Sequence, residues 1–120
     1  WLPVISSAAA SQGNVTAAES DAYVEKMKAH PTATLLDPTG AIGHMYDAKV
    51  TPHMYVINPD GVLVYNGGID DKPTSDQADL ATAKNYVSGA LTEAMAGKVI
   101  STPTSRPYGC SVKYATGPTQ

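Results

Sequence analysis

"KVTPHMYVINPDGVLVYNGG", residues 49–68, holds two strand-like runs joined by a tight turn, with a proline set directly against the first run. Residues 53–58 and 62–67 are rich in β-branched and aromatic side chains, and "PDG" between them supplies a short hairpin turn with Gly61 where a positive φ is needed. Proline has no N–H to give to a ladder, so within a strand pattern it belongs at the first residue or on an edge. Pro52 stands at the beginning of its run, and a trans, strand-initiating proline is the default, since only about 5–6% of X–Pro bonds in folded proteins are cis.

Working outward, residues 1–7 read as a mostly apolar strand, followed by the small-residue loop "SAAASQGN". Thr16 and Glu19 make a capping-box pattern, each side chain suited to satisfy an orphan backbone donor at the other's position. Tyr23, Val24 and Met27 then share one helical face, and His30 before Pro31 ends the run. Residues 32–37 form a short strand running into the turn "DPTG", and a brief helix is expected over 41–46. Beyond the hairpin, a long amphipathic helix is expected from about 79 to 96, started by Ser75 or Asp76 and ended by Gly97. Leu80, Val87, Leu91 and Met95 would form its apolar stripe. From about residue 98 to 120 the chain is rich in Pro, Thr and Gly and reads as an irregular tail wrapping the surface.

Strands alternating with helices argue an α/β domain spanning 1–120, and the terminal hairpin makes its sheet mixed. With 42% hydrophobic and 16% charged residues the chain has enough apolar material for a core. A net charge of −3 and scattered Lys and Arg leave no basic field for phosphates, which argues against nucleic acid as a partner. No apolar run reaches the roughly 18 residues of a membrane span. The apolar opening on Trp1 predicts that the chain begins inside a longer protein.

Cys110 is the single thiol, so the chain can make no internal disulfide. It can serve as a small apolar anchor for the tail. Alternatively, Pro107, Tyr108 and Gly109 make a turn that exposes the sulfur, and Arg106 and Lys113 favour thiolate. His44-Met45 and His53-Met54 repeat a His-Met pair which, with Cys110, would suit copper, although both methionines fit core positions. Asp70 and Asp71, adjacent on an extended chain, point to opposite sides and read as a solvated or helix-capping turn. No Gly-rich phosphate loop or Cys/His metal spacing is present, so neither a cofactor nor a resident metal is expected.

The Val50-Thr51-Pro52 loop, "MYVI", the "PDG" turn and the following "GG" together resemble the loop and hairpin of thioredoxin-like redoxins, in which the proline is cis and faces the redox cysteine. "LLDPTGAIGHMYDAKVTPHMYVINPDGVLVYNGGIDD", residues 35–71, is similar to redoxins of the alkyl-hydroperoxide-reductase and thiol-specific-antioxidant type. "RPYGCSVKY", residues 106–114, resembles one often exported subgroup of them. The resemblance implies a thioredoxin-like three-layer α/β/α fold, incomplete at its N-terminus, because the strand and helix carrying the family's first redox cysteine have no counterpart here. That strand is normally central, between the partners of residues 1–7 and 53–58. Its place would be filled by direct pairing of those two strands, by a strand from another copy, or by a separate piece of chain, so a homo-oligomer or strand exchange is an expected partner arrangement.

By the same resemblance, Thr51 and Pro52 form a binding ledge whose backbone can pair with an extended substrate. Cys110 is the resolving thiol that attacks the oxidised first cysteine. The activity implied is thiol-disulfide exchange or thiol-dependent peroxide reduction on a protein thiol, a disulfide or a peroxide, in the periplasm or outside the cell. The alternative is a non-enzymatic thioredoxin-fold module that holds a polypeptide or copper.

Overall fold

A computed structural model describes residues 1–116, which fall into two units. One takes in Trp1–Ala48 and residues 112–116, the other Lys49–Ser111. The whole is a mixed α/β arrangement whose strands form short two-stranded ladders among the described residues.

In the first unit, β1 (Val4–Ile5) pairs in parallel with β2 (Leu35–Leu36), Val4 opposite Leu35. The pairing extends past both strands, with the Thr32, Leu35 and Asp37 N–H groups donating to the carbonyls of Trp1, Pro3 and Ile5 at 2.9 Å each. The connection is α1 (Ala17–Lys26), whose capping box is complete: Thr16 Oγ1 accepts from the Glu19 N–H at 3.2 Å and Glu19 Oε2 accepts from the Thr16 N–H at 2.8 Å. After β2, the "DPTG" turn delivers Asp37, buried, to the start of α2 (Ala41–Met45). Gly40, the N-cap of α2, has no side chain to give, so Asp37 substitutes: its Oδ2 accepts from the Gly43 N–H at 2.9 Å and the Ser6 hydroxyl at 2.7 Å. Tyr114 closes this end, stacking on His44 with ring centroids 3.9 Å apart and donating to the Ala48 carbonyl at 2.7 Å. Met45, expected in a core, is 79% exposed, because the five-residue α2 turns its buried face through Gly43.

The second unit is organised by the hairpin of β4 (Met54–Ile57) and β5 (Leu63–Gly67), in register Met54 opposite Gly67 and Val56 opposite Tyr65. In the turn the Asn58 side chain accepts from the N–H groups of Asp60 and Val62, at 3.0 and 2.9 Å, and Gly61 has φ of 78°. A register shift between Val56 and Ile57 marks a bulge beside the turn.

The helix expected over about 79–96 is broken in two. Asp76 caps a 3-10 turn at Gln77–Ala81, and α3 runs from Tyr86 to Met95 with Asn85 as its N-cap, accepting from the Ser88 N–H at 2.8 Å. Between them Lys84 is drawn into a strand-like exchange with Asp71: the Asp71 N–H donates to the Lys84 carbonyl and the Lys84 N–H to Asp71 Oδ1. Those bonds remove Lys84 from any helical ladder. They also fix the phase of α3, which packs Tyr86, Val87, Ala90 and Ala94 against the hairpin around Val56, Tyr65 and Ile100. Of the expected stripe, Val87 packs on this core, whereas Leu80, Leu91 and Met95 are exposed, Leu91 and Met95 lining an open groove with Val87, Met54 and Ile69.

Candidate functional site

The Thr51–Pro52 peptide bond is cis. Thr51 belongs to β3 (Val50–Thr51), which pairs in antiparallel fashion with β6 (Cys110–Ser111), Val50 opposite Ser111 and Thr51 opposite Cys110. The structure therefore brings the three sequence-predicted site residues together: Thr51, Pro52 and Cys110, all exposed. Cys110 carries a free thiol. It does not anchor a core, as its apolar reading would require.

Residues 103–111 reach this position by a continuous path of contacts. The Asn66 N–H donates to the Pro103 carbonyl at 3.0 Å, and Thr104 makes a parallel bridge with Asn66. Ser105 is then anchored on the hairpin: its Oγ accepts from the Gly68 N–H at 2.9 Å and lies 2.6 Å from the hydroxyl of Tyr65, a fully buried side chain that also donates to the Gly68 carbonyl. Burial pushes the Tyr65 phenol above its ordinary value, outweighing the lowering effect of Ser105. Three residues further on, the Tyr108 hydroxyl donates to Asp70 Oδ1 at 2.6 Å. Asp70 is buried and also accepts from the Lys72 N–H at 2.9 Å. This overturns the expectation of a solvated or capping turn for Asp70, while Asp71 points the other way and serves Lys84. Donation to Asp70 pushes the Tyr108 phenol up to about 12, since ionising it would break that bond beside a carboxylate.

Gly109 completes the approach. Its φ is 140°, in the region that favours glycine, and a Cβ there would overlap the Thr51 carbonyl oxygen and meet Pro52 Cδ at 3.2 Å. Only a residue without a side chain lets β6 lie against Thr51.

His53, next to Pro52, is held at both ring nitrogens: Nδ1 accepts from the Lys49 N–H at 3.2 Å, and Nε2 lies 2.7 Å from Asn66 Oδ1. An Nδ1 that accepts leaves the proton on Nε2, so the ring is the Nε2–H tautomer, bridging the backbone at Lys49 and the Asn66 side chain on β5. It stacks on Tyr55 with centroids 4.6 Å apart. Both ring nitrogens of His53 are thereby committed to protein partners, while His44 is stacked on Tyr114 through its ring face. Among the described residues no group of three or more His, Cys, Asp or Glu is gathered for a metal ion. Sequence reasoning missed the roles of Asp70, Tyr108 and Ser105, whose only local signal was the run of Ser105, Pro107 and Gly109 before the cysteine.

No family model and no curated protein matches this sequence. Solved structures do share its fold. A hypothetical protein from Sinorhizobium meliloti 1021 superposes with a TM-score of 0.79 at 22% identity, over 97% of this chain and 62% of that one. An uncharacterized conserved protein from Geobacillus kaustophilus gives 0.77 at 22% identity, over 97% of this chain and 60% of its own. The chain thus spans less than two thirds of the length of both.

Proposed function

We propose that this chain is part of a thioredoxin-like redoxin of the alkyl-hydroperoxide-reductase and thiol-specific-antioxidant type, acting in thiol-disulfide exchange or thiol-dependent peroxide reduction. Thr51 and Pro52 form the ledge on which an extended polypeptide pairs. Cys110 is the resolving thiol. The observation that carries this reading is the antiparallel register of Thr51 opposite Cys110, which puts an exposed thiol on the strand paired to the proposed ledge.

The chemistry needs a first cysteine, which these 120 residues do not contain. In the exchange branch the Cys110 thiolate attacks one sulfur of a disulfide on the partner, a new S–S bond forms, and the other sulfur leaves as thiolate. In the peroxide branch the first cysteine has been oxidised to sulfenic acid, and Cys110 attacks that sulfur, forming the disulfide and releasing water.

The test is an intact-mass time course of the reduced chain with a disulfide-linked model peptide. A mixed disulfide at Cys110 that forms faster in the folded chain than in the same chain unfolded in urea supports the redox reading. A rate no faster than that of the unfolded chain assigns the fold to a non-enzymatic polypeptide-binding module.

A further inference from the structure

We propose that residues 105–111 form a strap that closes the Thr51 edge, an autoinhibitory contact that has to lift before an extended polypeptide can pair there. The inference rests on the reading of Thr51 and Pro52 as a polypeptide ledge and adds what occupies that ledge at rest.

The strap is anchored on both flanks and held at the surface between them. At Ser105 the grip is internal, through the buried Tyr65 hydroxyl and the buried Gly68 N–H. Past its other end Lys113 is held too, its carbonyl accepting from the Ala8 N–H at 2.8 Å, while over 108–111 the contacts include one side-chain hydrogen bond, Tyr108 to Asp70, and a two-residue ladder between residues that are mostly exposed. A short ladder at the surface opens locally far more readily than core strands do. The strap therefore bows out over 108–111 while Ser105 and Lys113 stay seated, and Arg106 and Pro107 lie between Ser105 and the ladder.

The strap also records what the edge accepts. Gly109 lies where any Cβ would overlap the Thr51 carbonyl oxygen. A polypeptide that replaces it in the same antiparallel register meets the same carbonyl, so the edge selects a glycine directly before the residue facing Thr51. The occupant is an extended strand of that pattern, recognised through its backbone.

The probe is a labelled nonapeptide with the sequence of residues 105–113, its cysteine replaced by serine, and the protein is the full chain as wild type, Gly109→Ala and Tyr108→Phe. Two quantities are measured: amide hydrogen exchange over 49–52, and probe affinity by anisotropy. Gly109→Ala expels the strap, so exchange over 49–52 rises while the β4–β5 hairpin stays protected. Probe affinity rises about tenfold if the strap covers the edge roughly 90% of the time in the wild type. Tyr108→Phe removes only the latch hydroxyl and moves both quantities the same way by less, which keeps the test intact should Gly109→Ala misfold. A probe bearing alanine in place of its glycine loses the gain.

Unchanged exchange over 49–52 in both variants overturns the strap. Equal probe affinity for wild type and an opened variant also overturns it, while leaving the ledge reading standing. An opened edge that binds the probe in no variant overturns the ledge reading itself.

Discussion

Tyr108 gives its hydroxyl hydrogen to a buried carboxylate, Asp70 Oδ1, across 2.6 Å, two residues before the only thiol in the chain. The bond ties a half-buried aromatic in the tail to the residue that follows the hairpin, and it exists only while the phenol is protonated.

The first prediction follows from that dependence. The Tyr108 pKa is raised to about 12 from an ordinary 10.0, so the folded state holds this proton more tightly than the unfolded one. Its stabilisation is fully present below pH 10 and is lost as pH rises from there through about 12. Tyrosinate absorbance should show one phenol titrating late that disappears in Tyr108→Phe. Urea unfolding of the wild type should lose more stability than that variant between these pH values.

Asp37 behaves in the opposite sense. Burial pushes its carboxyl up, but donation from the Gly43 N–H, the Ser6 hydroxyl and the Ile42 and Ala41 N–H groups outweighs this and holds it below the ordinary 3.8. A depressed carboxylate stabilises above the unfolded value, so this contribution is present above about pH 4 and is lost as pH falls through the folded value. Asp37→Asn should remove that acid dependence. Because the buried donors then face a weaker acceptor, it should also cost about 1–3 kcal/mol at neutral pH, read from chemical denaturation.

Tyr65 is the largest fully buried side chain, and its hydroxyl serves both Ser105 and Gly68. Tyr65→Phe should cost about 1–3 kcal/mol for the groups it leaves unpaired. Tyr65→Ala should cost about 3–5 kcal/mol for the cavity. Ser105→Ala should come close to the Phe variant, and the double variant Tyr65→Phe/Ser105→Ala should be less than additive, since the two hydroxyls share one network.

Asn85 starts α3 with a side-chain bond to the Ser88 N–H. Asn85→Ala should destabilise the second unit by about 0.5–2 kcal/mol, and Asn85→Ser or Asn85→Asp should restore most of it. Thermal unfolding by circular dichroism reads this directly.

Elements specified by neighbours in the chain were legible in the sequence. The capping box at Thr16 and Glu19, the hairpin with its Asn58–Gly61 turn, and Gly97 after α3 each depend on residues a few positions apart. The 79–96 helix failed because Lys84 exchanges hydrogen bonds with Asp71, thirteen residues away in sequence. No local propensity reports such a bond, and the break it causes parts Leu80 from the Val87, Leu91 and Met95 of α3. The site divides in the same way. Pro52 announced a strand start and Cys110 was the lone thiol, but the register that sets Thr51 opposite Cys110 is a long-range pairing. Its trace in the sequence is a single glycine, read there only as part of a turn.

The Asp71–Lys84 exchange has a practical outcome for anyone cutting or splicing this chain. It pinches the backbone shut at the base of residues 72–83, an excursion that is mostly exposed and holds a 3-10 turn capped from within by Asp76. Doubling the length of a closed loop adds only about 0.6 kcal/mol of closure entropy. An affinity tag, a fluorophore-bearing insert or a protease recognition sequence placed there would be carried by the clamp, leaving the hairpin and α3 intact.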